Sequence, residues 1–267
     1  MVHTNIFNKI KYKSDAEIEL IKLSALLVGQ TLGEVAKHIR PGIPLIHLDR
    51  IAEEFIRDHH GIPSFKGYDG FPASLCLSVN DVVVHGIPSN AVLNEGDIVS
   101  VDCGAILNGY HGDYAYTFEV GEVSEDVHLL VERTKESLYV GIAAAKEGNH
   151  IGDISYAVES YIRPFHYGIV EELCGHGIGT SMHEKPDIPN YGRPGVGPLI
   201  KRGMVFCIEP MICLGRRRIY MDNDGWTIHT YDRKPAAHFE HQLAVTENGT
   251  EVISTYKYIE EALKTEN

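Results

Sequence analysis

Apolar residues return at helical spacing through Leu48, Ile51 and Phe55, and again through Ile154, Ala157 and Tyr161. Each group follows a glycine, Gly42 or Gly148, so each reads as a loop entering an amphipathic helix, over 42–56 and 148–162. A longer helical stretch precedes each loop, at about 14–38 and about 126–146. Ser14, with Glu17 three residues on, has the form of a capping box and starts the first of them.

Between the helices the period changes to two. In Gly96-Asp97-Ile98-Val99-Ser100-Val101-Asp102, Val99 and Val101 share one face of a strand while Ser100 shares the other with Asp102. About 107 residues later, Gly203-Met204-Val205-Phe206-Cys207-Ile208-Glu209 repeats the arrangement, with Phe206 and Ile208 opposed to Cys207 and Glu209. The strands beginning at Asp113 and Glu240 follow the same rule. Tyr114, Tyr116 and Phe118, or His241, Leu243 and Val245, make the bulky face, and Ala115 with Thr117, or Gln242 with Ala244, accompanies the acid. The pattern predicts an α/β sandwich of two related halves, with helices on the bulky sheet face and a site on the other, at the junction of the halves.

Length and charge narrow the function classes. A chain of 267 residues fits one large domain or two small ones, and no Gly, Ser or Pro linker divides it. With 24 basic against 37 acidic residues the net charge is −13, which argues against nucleic acid or an anionic membrane as main partner. The one basic run, Arg216-Arg217-Arg218, reads as a solvated turn. No apolar run reaches the roughly 18–20 residues of a membrane span, and the start lacks a secretory signal's basic and apolar regions, so the expectation is a cytoplasmic protein. Five cysteines, at 76, 103, 174, 207 and 213, contain no C-x-x-C pair and read as reduced thiols rather than a disulfide or zinc framework.

Any one of Asp102, Asp113, Glu209 and Glu240 alone would read as a turn cap or a partner of a lysine. Four of them, directed inward from small-residue faces, would repel one another and resist burial unless a positive charge sat among them. No lysine or arginine lies in these strand segments, so two divalent cations are the economical counter-charge. Histidines cluster nearby, at His85, His176 and His183. Glycines on both sides of His176 let backbone approach it closely and expose its ring. His183, seven residues on, does not make an i, i+4 pair with it and reads as a substrate contact.

The order H-G-I-P, D-x₁₀-D, G-H-G-I-G, M-H-E-K-P, I-E-P-M and F-E-H resembles the type I methionine aminopeptidases, over about residues 13–256. The D-x₁₀-D…H…E…E set by itself is shared with prolidases, aminopeptidase P and creatinases. Gly67 to Cys76 together with Gly225-Trp226 resembles the methionine pocket of the aminopeptidases in particular. The resemblance implies the pita-bread fold and removal of the initiator methionine from nascent chains, preferably before a small second residue. A hydroxide bridging two metal ions would attack the peptide carbonyl. It implies Asp102, Asp113, His176, Glu209 and Glu240 as metal ligands, Asp113 and Glu240 bridging both ions, with Co, Mn, Fe(II) and Zn all compatible. His85 and His183 fall at substrate-contacting histidines, with His183 on the oxyanion and His85 on the scissile amide, and Glu209 also moves a proton. Tyr68, Phe71, Cys76, Met182 and Trp226 would form the pocket for the thioether. Two departures bear on its shape: Met182 stands where an aromatic is frequent, and Phe65 where a smaller Cys or Pro is common.

The same reading divides the chain into a tail over 1–12, one catalytic domain over 13–256 with halves at about 13–121 and 122–256, and a tail over 257–267. It expects a monomer and leaves a transient ribosome contact open, since no Cys/His-rich extension precedes the domain. The competing readings are an X-Pro-type aminopeptidase or prolidase of the same fold, and a binding module that has kept the fold and lost its metals.

Overall fold

A computed structural model describes residues 9–264. Helix α1, Asp15–Ala36, starts at the capping box: the Glu17 amide donates to Ser14 Oγ and the Ser14 amide donates to Glu17 Oε2, 2.8 Å away. Helix α2 is Leu45–Asp58, α3 is Glu125–Ala144 and α4 is Ile151–Ile162, whose first turn closes when the His150 amide donates to Asp153 Oδ2. None of these helices is long and apolar enough to cross a membrane.

The expected strands lie where the period of two places them. Ile98–Leu107 pairs antiparallel with Tyr110–Glu119, setting Asp102 opposite Ala115 and Gly104 opposite Asp113, and Leu75–Val79 flanks it with Cys76 opposite Asp102. In the second half Val205–Ile208 pairs antiparallel with His241–Thr246, and the sheet continues through Gly175–Gly177 to Glu184–Ile188. The bulky faces form the main core. Val99, Val101, Tyr114, Phe118, Phe206, Ile208, Leu243 and Val245 are all buried against Val28 and Leu32 of α1, Leu48 of α2, Leu138 of α3 and Ile154 of α4. Helices therefore cover one side of the sheets, and the acids emerge on the other.

The halves are joined by polar side chains on the small-residue faces. Asp113 N donates to Gln242 Oε1 at 3.2 Å, and Thr117 Oγ1 donates to the His238 carbonyl at 2.7 Å. Both bonds are buried, so each is strong and costly to leave unmade.

Of the segment 257–267, expected as a tail, residues 257–264 form a helix and 265–267 lie outside the described residues. Helix α5, Lys257–Lys264, packs on α1 with Ile259 and Ala262 buried. Its two turns are too short for periodicity to separate from noise, and tertiary burial stabilises it instead. Just before it, the Tyr256 hydroxyl lies 2.7 Å from the Glu240 carbonyl and 2.8 Å from that of Ala115, linking this segment to two acid-bearing strands. At the other end, Lys11 of the expected 1–12 tail pairs with Glu184 at 3.0 Å, and residues 1–8 lie outside the described ones.

Candidate metal centre and side-chain pocket

The five predicted donors converge. Asp102 and Asp113 reach the centre from the first pair of strands, Glu209 directly follows the strand ending at Ile208, and Glu240 lies between two short strands. His176 sits on the Gly175–Gly177 strand. A Cβ at Gly175 would lie 2.3 Å from the Cys207 carbonyl oxygen, and one at Gly177 2.4 Å from that of Lys185, so only glycine lets strands close on both sides of the imidazole. His176 Nε2 lies 3.8 Å from Asp113 Oδ2 and 3.6 Å from Glu209 Oε1. Asp102, Asp113 and Glu240 present one oxygen each within 4.8 Å of one another.

The electrostatics of the centre favour a positive charge among the acids. Burial raises the Asp102 carboxyl to about 7, and burial with repulsion from the neighbouring acids raises Asp113, Glu209 and Glu240 well above the carboxylate range. Burial also lowers His176 to about 3, so its ring is neutral and has a lone pair to give. Asp102 Oδ1, Asp113 Oδ1 and Glu240 Oε1 are buried without a hydrogen-bond partner. Orphaned acceptors around one point, unmatched by a cation side chain, are the donor set of a divalent metal site. Cys207 also borders it, but burial raises its thiol well above the usual range, which leaves it a poor ligand.

These shifts carry a sign. A carboxyl whose folded pKa is raised contributes its stability below the unfolded value near 4 and loses it as pH rises through the folded value, about 7 for Asp102. A bound cation reverses the effect because it takes the ionised form, so added metal should raise the melting temperature more at pH 8 than at pH 5. At 100 times Kd the gain is about 2.7 kcal/mol, or roughly 5–10 °C for a chain of this size. Differential scanning fluorimetry of chelator-stripped protein with and without metal measures it, and a shift that shrinks with rising pH would contradict the donor set.

The centre opens into a cavity of about 500 Å³ whose lining includes all five donors. Phe65, Phe71, Ala73, Cys76 and Met182 form one buried apolar cluster, with Tyr68, Ile87 and Trp226 packed against it. Phe71 and Trp226 meet edge to face at 5.2 Å. All five expected pocket residues, Tyr68, Phe71, Cys76, Met182 and Trp226, line the cavity, and so does Phe65.

His85 and His183 stand between this pocket and the acids. His85 follows the Val82–Val84 strand with φ 59°, a left-handed conformation uncommon for a side chain of its size, and its ring faces Trp226 at 6.3 Å. His183 Nδ1 is hydrogen-bonded to the Tyr68 hydroxyl at 2.8 Å, leaving Nε2 free for another partner, and its ring lies 4.4 Å from that of His176. His183 belongs to none of the donor groups found among the described residues.

One residue of the centre escaped the sequence reading. His238, two positions before Glu240, ends the Ala236–His238 strand and reaches the same acids, with Nε2 3.7 Å from Glu209 Oε2 and 4.0 Å from Glu240 Oε2. The period-two rule that found the acids, run backwards from Glu240, would have found it.

The profile of metallopeptidase family M24 matches residues 19–247. The chain is 50% identical to a methionine aminopeptidase of Clostridium acetobutylicum over 243 residues, covering 91% of this chain and 97% of that one. To methionine aminopeptidase 1 of Bacillus subtilis it is 48% identical over 91% of this chain and 98% of that one. The crystal structure of methionine aminopeptidase from Rickettsia prowazekii superposes with a TM-score of 0.91 at 38% identity, over 92% of this chain and all (100%) of that one. Prolidase from Pyrococcus furiosus shares the fold, at a TM-score of 0.73 and 23% identity over 91% of this chain and 65% of that one.

Proposed function

The chain belongs to metallopeptidase family M24 and, within it, to the methionine aminopeptidases, and we propose that it hydrolyses the bond after the initiator methionine of nascent proteins, preferring a small second residue. One juxtaposition carries the reading: a cluster of four acids and an imidazole opens directly onto an apolar, aromatic and sulfur-lined pocket. The reading puts the reaction in the cytoplasm, where nascent chains emerge, and a site built from one chain fits a monomer.

Asp102, Asp113, His176, Glu209 and Glu240 would hold two divalent cations, drawn from Co, Mn, Fe(II) or Zn. When bound, such a pair supplies an acidified water as nucleophile and a Lewis acid for the scissile carbonyl. The remaining work falls to the side chains. Phe71, Met182 and Trp226 take up the unbranched thioether, where sulfur meets aromatic surface. Glu209, a carboxylate at the edge of the centre within 3.6 Å of His176, is the group that accepts the nucleophile's proton and returns it to the leaving amine. Tyr68 holds the His183 ring so that Nε2 can donate to the carbonyl oxygen as charge develops there, and His85 orients the scissile amide.

The test is hydrolysis of Met-Ala-x, Met-Leu-x and x-Pro peptides with each metal. Rapid release of Met from Met-Ala-x is expected; preference for x-Pro would assign the site to the prolidase branch, and no hydrolysis with bound metal would sink the reading. Trp226→Ala should lower kcat/KM for Met-Ala-x by about 10- to 100-fold, the scale of pocket discrimination, without changing metal content. An equal loss of metal would make Trp226 a support of the centre instead.

A further inference from the structure

We infer that His238 is a sixth protein donor of the centre, its Nε2 directed at a cation shared with Glu209 and Glu240. The inference rests on the dinuclear reading above and adds a second imidazole to it. The backbone of His238 is clamped: its amide donates to Thr117 Oγ1 at 3.0 Å, Thr117 Oγ1 donates to its carbonyl at 2.7 Å, and Ser100 Oγ lies 2.8 Å from the same hydroxyl. Ser100 and Thr117 are the small residues that accompany Asp102 and Asp113 on their strands. Their hydroxyls therefore fix His238 from the opposite half of the molecule.

The ring is 2% exposed and its Nε2 has no hydrogen-bond partner, in company with the orphaned oxygens of Asp102, Asp113 and Glu240. A buried ring nitrogen left unpaired is costly, and the atoms facing it are carboxylate oxygens. At 3.7 Å from Glu209 Oε2 and 4.0 Å from Glu240 Oε2 the contacts are too long for hydrogen bonds, which end near 3.2 Å. They suit donors sharing one ion, since two ligands each about 2.0–2.2 Å from a cation stand roughly 3–4 Å apart. His176 stands in the same relation to its acids, at 3.8 and 3.6 Å. Glu209 lies between the two imidazoles, Oε1 toward His176 and Oε2 toward His238. A second imidazole would bias the centre toward Zn, Co and Fe(II) over Mn, because imidazole suits those ions better than an all-oxygen set does.

The test uses the whole protein loaded with Co(II). Proton NMR of the paramagnetic form should show two shifted, exchangeable imidazole N–H signals, and His238→Gln should remove one of them. Calorimetric titration of the same variant should weaken one of the two Co(II) ions by at least about 10- to 100-fold, the scale seen even for residues that only support a ligand. Gln keeps an N–H donor, so unchanged affinity in His238→Gln would make His238 a hydrogen-bonding support of Glu209 and overturn the inference. A single imidazole signal in the unaltered protein would also overturn it, even if His238→Gln failed to fold. Where Co(II) binds and Met-Ala-x is cleaved but only one signal appears, this inference alone fails; where Co(II) does not bind at all, the dinuclear reading fails with it.

Discussion

Glu240→Ala is expected to leave a folded protein that holds little metal and has lost at least about 10³-fold in turnover. Glu240 belongs to all three groups of donors that the described residues bring within reach of a common ion, so its loss removes an oxygen from each. Metal ions in such sites supply several kcal/mol of transition-state stabilisation, and about 4 kcal/mol corresponds to 10³ in rate. Folding should survive because burial, with repulsion from Glu209 and Asp102, opposes the charged form of Glu240 when no cation is bound, so little stability is lost with it. The metal-free variant should therefore melt no lower than the metal-free parent, within a few degrees for the small cavity left behind. Metal analysis, a thermal melt and a Met-Ala-x assay on one preparation decide it. Full activity without metal would end the metallopeptidase reading for this centre.

His183→Ala is expected to keep its metal while kcat falls on the order of 10²- to 10³-fold, the usual cost of removing one oxyanion donor. KM should move less, because a bond that strengthens only in the transition state adds little to ground-state binding. The geometry separates this histidine from His176, although both belong to one glycine-rich stretch. His176 Nε2 is within 3.8 Å of two acids, whereas His183 is tied through Nδ1 to Tyr68. Tyr68→Phe should accordingly give a weaker version of the same defect, about 2- to 10-fold, for the loss of one neutral hydrogen bond. A His183→Ala protein that loses metal and recovers its rate with excess metal would reverse the two roles.

The alternation of residue types along single strands was sufficient to find the acids and their faces. Ser100 with Asp102, and Cys207 with Glu209, had to share a side whatever the tertiary structure, because neighbours two apart in an extended strand point the same way. The helices over 15–36 and 125–144 were legible for a similar reason: each is long enough for its period to repeat several times, and Ser14 with Glu17 marks the start of the first. Helix α5 was not legible, since two turns have little intrinsic stability and exist because Ile259 is buried against α1. His238 was half legible. Its place two positions before Glu240 is read off the sequence, but its closeness to Glu209, 29 residues earlier in the chain, is not. Local sequence thus determined which face each donor occupies and that a positive charge is needed among them. Tertiary structure alone decided which donors meet, because strand pairing and the Thr117 and Gln242 bonds between the halves set distances that no periodicity encodes.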